Sequence, residues 1–149
     1  MNGFDGLLKA EYSPPKSWTL SRALSFRAES LSLEEIDVLK KVDVDCSPRG
    51  EIRVESGFTT DLASVPRALW IFLSPWDIAR AGVVHDKLYS KCLKYFHSEN
   101  CNYEIWENAR KAADNVFFYA MEASDPAVPL WKIKSAYYSV RIFGKNHAR

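Results

Sequence analysis

The stretch Ala109-Arg110-Lys111-Ala112-Ala113-Asp114-Asn115-Val116-Phe117-Phe118-Tyr119-Ala120-Met121 decides how this chain is read. Ala109, Ala112, Ala113, Val116, Phe117, Ala120 and Met121 recur three and four positions apart, which is one apolar face of an α-helix. The pattern predicts a long helix over Tyr103 to Ala123. Asp114 stands at the edge of that face, beside Ala113, Phe117 and Phe118. If the face is buried, its carboxylate needs a hydrogen-bonding partner.

The residues on either side are helical too. After Pro126 and Pro129 a further pattern runs from about Leu130 to Phe143, with Gly144 as its C-cap. Ahead of the central stretch, a helix is predicted from about Asp77 to Leu93. Ser64-Val65-Pro66 opens a short one through about Leu73, with Ser64 as N-cap and proline in the first turn. Ser74-Pro75-Trp76-Asp77 separates these two.

The first sixty residues repeat with period two instead. Trp18, Leu20, Leu24, Phe26 and Ala28 alternate with Thr19, Ser21, Ser25, Arg27 and Glu29, and Arg22 is the one break. Ile36, Val38, Val42 and Val44 continue the pattern around Lys40, and Ile52, Val54 and Phe58 do so again. Cys46-Ser47-Pro48-Arg49-Gly50 reads as a hairpin turn, and one more strand is expected near Gly3–Lys9. The expectation is α+β: an N-terminal antiparallel meander of three to four strands packed against about four C-terminal helices. The 149 residues form one domain, strand-rich over about 1–60 and helical over about 64–144.

Composition excludes several classes. Hydrophobic content of 47% with 26% charged residues is that of a globular chain rather than a disordered one. Twenty basic residues against nineteen acidic leave a net charge of +1, so no global field points to nucleic acid. Lys132, Lys134, Arg141, Lys145 and Arg149 nevertheless follow Leu130 without an acidic residue. They read as partners for the negative end of the last helix plus a solvated tail, or as a contact surface. Cys46, Cys92 and Cys101 show no CxxC spacing and give neither a disulfide framework nor a zinc site. Synthesis in a reducing cytoplasm follows, with no signal peptide at Met1–Ala10 and no membrane span.

The chemistry-bearing residues gather in His85-Asp86-Lys87-Leu88-Tyr89. On a helix His85 and Tyr89 share a face, and Asp86 turns away by about 100°. A histidine beside a carboxylate can act as a general base, and the carboxylate can instead hold a hard cation next to an activated water. Asp114, on the facing helix, can accept from His85 or Tyr89. Asp61 closes the third strand just before a helix start, where it either organises the turn or serves the site. His97 and His147 read as exposed. Trp70, Phe72 and Trp76 cluster close to the site and read chiefly as core.

Gly57-Phe58-Thr59-Thr60-Asp61-Leu62-Ala63-Ser64-Val65-Pro66-Arg67, His85-Asp86-Lys87-Leu88-Tyr89, Ala113-Asp114-Asn115-Val116-Phe117 and the closing Tyr137-Tyr138…Arg141…Phe143-Gly144 together resemble the phage- and prophage-encoded domain of unknown function 1353 family. The resemblance covers roughly Ile52 to Gly144. It implies a bacteriophage or prophage origin, synthesis in a host bacterium and no established activity. The site alone is similar to calcium-dependent secreted phospholipases. That similarity implies water activation by His85, cation binding by Asp86, and orientation of His85 by Tyr89 and Asp114. The glycine-rich calcium loop and bracing cysteines of those enzymes are absent here.

Two readings follow. In one, the chain is a small metal-assisted hydrolase of a lipid or cell-envelope ester or amide. His85 is the base, Asp61 and Asp86 bind calcium or zinc, and Asp114 and Tyr89 orient the histidine. In the other, it is a virion component or accessory protein in which these groups form a structural network. The aromatic last helix, with Trp131, Tyr138 and Ile142 on one stripe, would then dock on other phage proteins.

Overall fold

The computed structural model describes residues 1–15, 17–61, 78–125 and 127–149. The expected helix over Ser64–Leu73, its Ser64 cap and the aromatic cluster Trp70, Phe72 and Trp76 lie outside the described residues. The fold is α+β. In chain order the elements are β1 (Gly3–Phe4), β2 (Ala10–Ser13), β3 (Ser17–Leu20), β4 (Leu24–Arg27), α1 (Leu33–Lys41), β5 (Glu51–Val54), β6 (Thr59–Thr60), α2 (Ala79–Phe96), α3 (Tyr103–Glu122) and α4 (Leu130–Phe143). A 3-10 helix, Gly144–His147, follows α4.

The strands are antiparallel but do not form a sequential meander. They make two three-stranded sheets, ordered β1-β4-β5 and β2-β3-β6. The long alternation from Trp18 to Glu29 is divided between them, and the chain changes sheet at Ser21–Ala23, around the out-of-pattern Arg22. Leu24 pairs with Val54 and Phe26 with Ile52, so the apolar faces of β4 and β5 are in register and fully buried. Pairing of Trp18 with Thr60 brings the short β6 against β3. The turn before β5 forms as expected. Gly50 is required there because its φ is +84° and a Cβ would collide with the carbonyl oxygen of Ala28.

The expected strand through Ile36 and Val38 is instead the helix α1. Ser32 and Glu35 make a reciprocal capping box, each side chain bonding the other's backbone N–H. Glu34 and Glu35 sit in the first turn and Lys40 and Lys41 in the last, complementing the helix dipole. Ile36 and Leu39, three apart, supply the buried face. Asp43 then adopts φ +67°, with Val44 N–H bonded to Leu39 O and Asp43 N–H to Lys40 O, a Schellman termination. Beyond it Val44 and Cys46 are buried two apart and Cys46 bridges Ile52, which is the part of the period-two signal that was real.

The three long helices fall close to their expected bounds. Helices α2 and α3 pack as an antiparallel hairpin. Phe96 meets Trp106 near the connection, and His85 meets Asp114 and Phe117 farther along. This crossing buries the apolar stripe of α3 in one core with Val84, Leu88 and Cys92 of α2. Helix α2 also lies on β5, while α1 and α4 flank α3. Among the described residues no helix is long and apolar enough to cross a membrane.

Candidate functional site

Helix α2 delivers His85 and Tyr89 to one face because they are one turn apart, and α3 meets them with Asp114. His85 Nε2 lies 2.8 Å from Asp114 Oδ1, and the Tyr89 hydroxyl donates to the same oxygen at 2.6 Å. Arg141 of α4 donates to Asp114 Oδ2 at 2.7 Å, and Arg110 Nη1 lies 3.6 Å from that oxygen. His85 is 1% exposed and Asp114 fully buried. Arg110 also donates to the Tyr89 hydroxyl, to the carbonyl of Val140 and to Glu107, and Glu107 in turn contacts Arg141. Two guanidinium groups therefore face two carboxylates.

The protonation pattern follows. Burial works to raise the Asp114 carboxyl, but the hydrogen bond and charge of His85, with the hydrogen bonds from Tyr89 and Arg141, outweigh it and hold the group below its ordinary value. Burial, reinforced by the negative charge of Asp114, raises Tyr89, so its phenol stays protonated. An ionised Asp114 only accepts, so Nε2 of His85 must carry the hydrogen. In the neutral ring the lone pair is then on Nδ1, and Nδ1 is buried with no partner among the described residues. Behind the pair, burial pushes the Cys92 thiol up to about 12, which leaves it an inert core residue.

His85 lines a cleft of about 470 Å³. Thr60, Asp61, Asp86, Tyr89 and His147 contribute to the same wall, and Phe58, Leu93, Val140 and Phe143 make it apolar elsewhere. The hydroxyl of Thr60 donates to Asp86 Oδ2, tying the end of β6 to α2. All five residues expected at the site are thus brought to one place. His85, Tyr89, Asp61 and Asp86 line the cleft, and Asp114 stands behind His85. Among the described residues no group of three or more histidine, cysteine or acidic side chains assembles as a metal cage.

Four contributors were not assigned to the site from sequence. Arg110 precedes Asp114 by one helical turn and Glu107 precedes Arg110 by three residues, a spacing that ordinarily marks a solvated ion pair. Arg141, expected to complement the end of α4, folds inward onto Asp114 instead. His147 is exposed as expected, yet it lines the cleft. It is held there because Ala148 is buried and its carbonyl accepts a 2.7 Å hydrogen bond from the indole of Trp106. No local pattern near residue 147 announces that anchor.

Gly144 serves the site in a way its C-cap position conceals. Its φ of −73° is right-handed, so no left-handed turn requires glycine. A Cβ would instead stand 2.7 Å from the Tyr89 hydroxyl. That hydroxyl cannot retreat without leaving Asp114. Gly144→Ala is therefore expected to cost roughly 1–3 kcal/mol of stability by overpacking. Urea unfolding measures this, and an unchanged midpoint would mean that Tyr89 is not held as described.

Fold and site define a class: an α+β domain whose antiparallel helix pair holds a buried histidine–aspartate couple at the wall of a cleft. The chain belongs to the family described as a protein of unknown function (DUF1353), whose model matches residues 36–140. The match begins inside α1, earlier than the motifs alone indicated, and ends on α4. Comparison with the curated proteins and with the solved structures finds no match.

Proposed function

We propose that the chain is a hydrolase in which Nδ1 of His85 is the general base. The observation that carries this is the unpartnered Nδ1 of a histidine whose other nitrogen is committed to Asp114, at the wall of a cleft. Water gives a proton to Nδ1 as its oxygen bonds to a carbonyl carbon. Asp114 stabilises the resulting imidazolium through Nε2–H, and Tyr89 and Arg141 keep the carboxylate in place. The same proton passes to the leaving oxygen or nitrogen as that bond breaks. The apolar wall fits an ester or amide of a lipid or of a cell-envelope polymer, and the family resemblance supports a bacteriophage origin. Turnover of a panel of such esters and amides by the wild type and by a folded His85→Gln variant is the test.

Asp61, Asp86 and the Thr60 hydroxyl offer hard oxygen donors, which suit calcium or magnesium better than zinc. Asp61 and Asp86 would hold such an ion, and it would supply positive charge for a developing oxyanion. Calcium or magnesium is expected to raise the melting temperature of the wild type and to leave that of Asp86→Asn unchanged. Equal responses in the two proteins would remove the cation from the reading.

The burial of Nδ1 favours a second reading, in which the network only braces the α2–α3 crossing of a virion or accessory protein. Under it, folded His85 variants lose stability and no wild-type hydrolysis is found.

A further inference from the structure

Helix α4 turns one face to the core through Ile133, Ala136 and Val140 and leaves another in water. Tyr138, Ile142 and Phe143 are 60%, 67% and 64% exposed, and Leu130 and Trp131 are more than half exposed at the other end. Trp131, Tyr138 and Ile142 follow one another at intervals of seven and four residues, a single stripe along the helix. Lys134 lies on this stripe one turn before Tyr138. Lys145 continues it, with its ammonium 5.6 Å from the ring of Tyr103, itself about half exposed. From residue 127 to residue 149 there is no acidic side chain.

A stripe that is apolar and aromatic along its centre and cationic along its length selects its occupant by charge. A second copy of this chain is disfavoured, because a two-fold contact would set lysines against lysines. An anionic phospholipid surface satisfies both features. Tyrosine and tryptophan sit at headgroup depth, isoleucine and phenylalanine reach the acyl boundary, and lysines meet the phosphates. Phe143, the residue after Ile142, is exposed and lines the cleft wall, so the cleft opens next to the C-terminal end of the stripe.

We propose that α4 is a membrane-surface docking face for anionic phospholipid bilayers. Binding stands on the surface alone. That a lipid ester then enters the cleft rests on the hydrolase reading above.

The test is co-sedimentation of the full chain with vesicles of phosphatidylcholine alone or mixed with phosphatidylglycerol. Wild type is expected to bind the anionic vesicles at least about tenfold more tightly, and to lose binding as salt rises. Each lysine near the surface contributes about 1 kcal/mol, so Lys134→Gln with Lys145→Gln is expected to weaken binding about thirtyfold. Tyr138→Ser with Ile142→Ser should weaken binding to the anionic vesicles at low and at moderate salt alike. Absence of binding to phosphatidylglycerol vesicles, or binding indifferent to both double variants, overturns the proposal. So does a dimer in sedimentation velocity that Tyr138→Ser with Ile142→Ser dissociates, which would make the stripe an interface between copies. His85→Gln separates the two readings: it should bind vesicles as wild type does while losing hydrolysis. Loss of vesicle binding with hydrolysis of soluble esters intact would defeat docking and leave the catalytic reading standing.

Discussion

Asp114→Ala is expected to lower the unfolding free energy by about 3–5 kcal/mol, the cost of removing one partner from a buried ion-pair network. The carboxylate is fully buried and takes hydrogen bonds from His85, Tyr89 and Arg141, with Arg110 close by. Its loss leaves two guanidinium groups facing Glu107 alone and strands the Tyr89 hydroxyl. A fall in melting temperature on the order of 10 °C follows for a chain of this size. Chemical denaturation should show the lower midpoint with an unchanged slope. A loss below about 1 kcal/mol would mean that the network contributes little net stability. The same group sets an acid limit. Because its folded value is depressed, its contribution is present above the ordinary carboxylate value and is lost as pH falls through the folded one. Asp114→Asn should flatten that part of the pH profile.

The second large effect is chemical. His85→Gln keeps a side chain that can still donate to Asp114 and removes the basic Nδ1. Hydrolysis is expected to fall about 10²–10⁴-fold, the usual worth of a positioned general base. Stability should fall by no more than roughly 1–3 kcal/mol, because Asp114 retains Tyr89 and Arg141. Single-turnover rates on a responsive ester, with unfolding curves on the same samples, separate the two effects. A folded variant that turns over at the wild-type rate would sink the general-base role.

The contrast between α1 and the later helices shows where sequence patterning is informative. Helices α2, α3 and α4 carry apolar stripes over 14 to 20 residues, long enough for the helical period to dominate. Over Ile36 to Val42 the apolar positions satisfy period two by coincidence. There the decisive features were the capping box at Ser32 and Glu35 and the three-residue step from Ile36 to Leu39. The sheets were legible as strands but not as an arrangement. Pairing of β1 with β4, or of β3 with β6, joins segments about 20 and 40 residues apart, and no local preference specifies such partners.

The candidate site divides in the same way. His85 and Tyr89 share a face because helical geometry places residues four apart together, and that relation is readable in any helix. Asp114 could be assigned a need because a carboxylate on an apolar stripe must find donors. Which donors it finds was decided only when α2 and α4 packed against α3. Arg110 and Arg141 look from sequence like ordinary solvated cations, and only burial against Asp114 makes them part of the network. His147 reaches the cleft because Trp106, 41 residues earlier, anchors the neighbouring alanine. Local periodicity determined which residues point inward. The long-range packing of helices and sheets determined what they meet there, because those contacts depend on the simultaneous burial of several faces and are encoded in no single stretch.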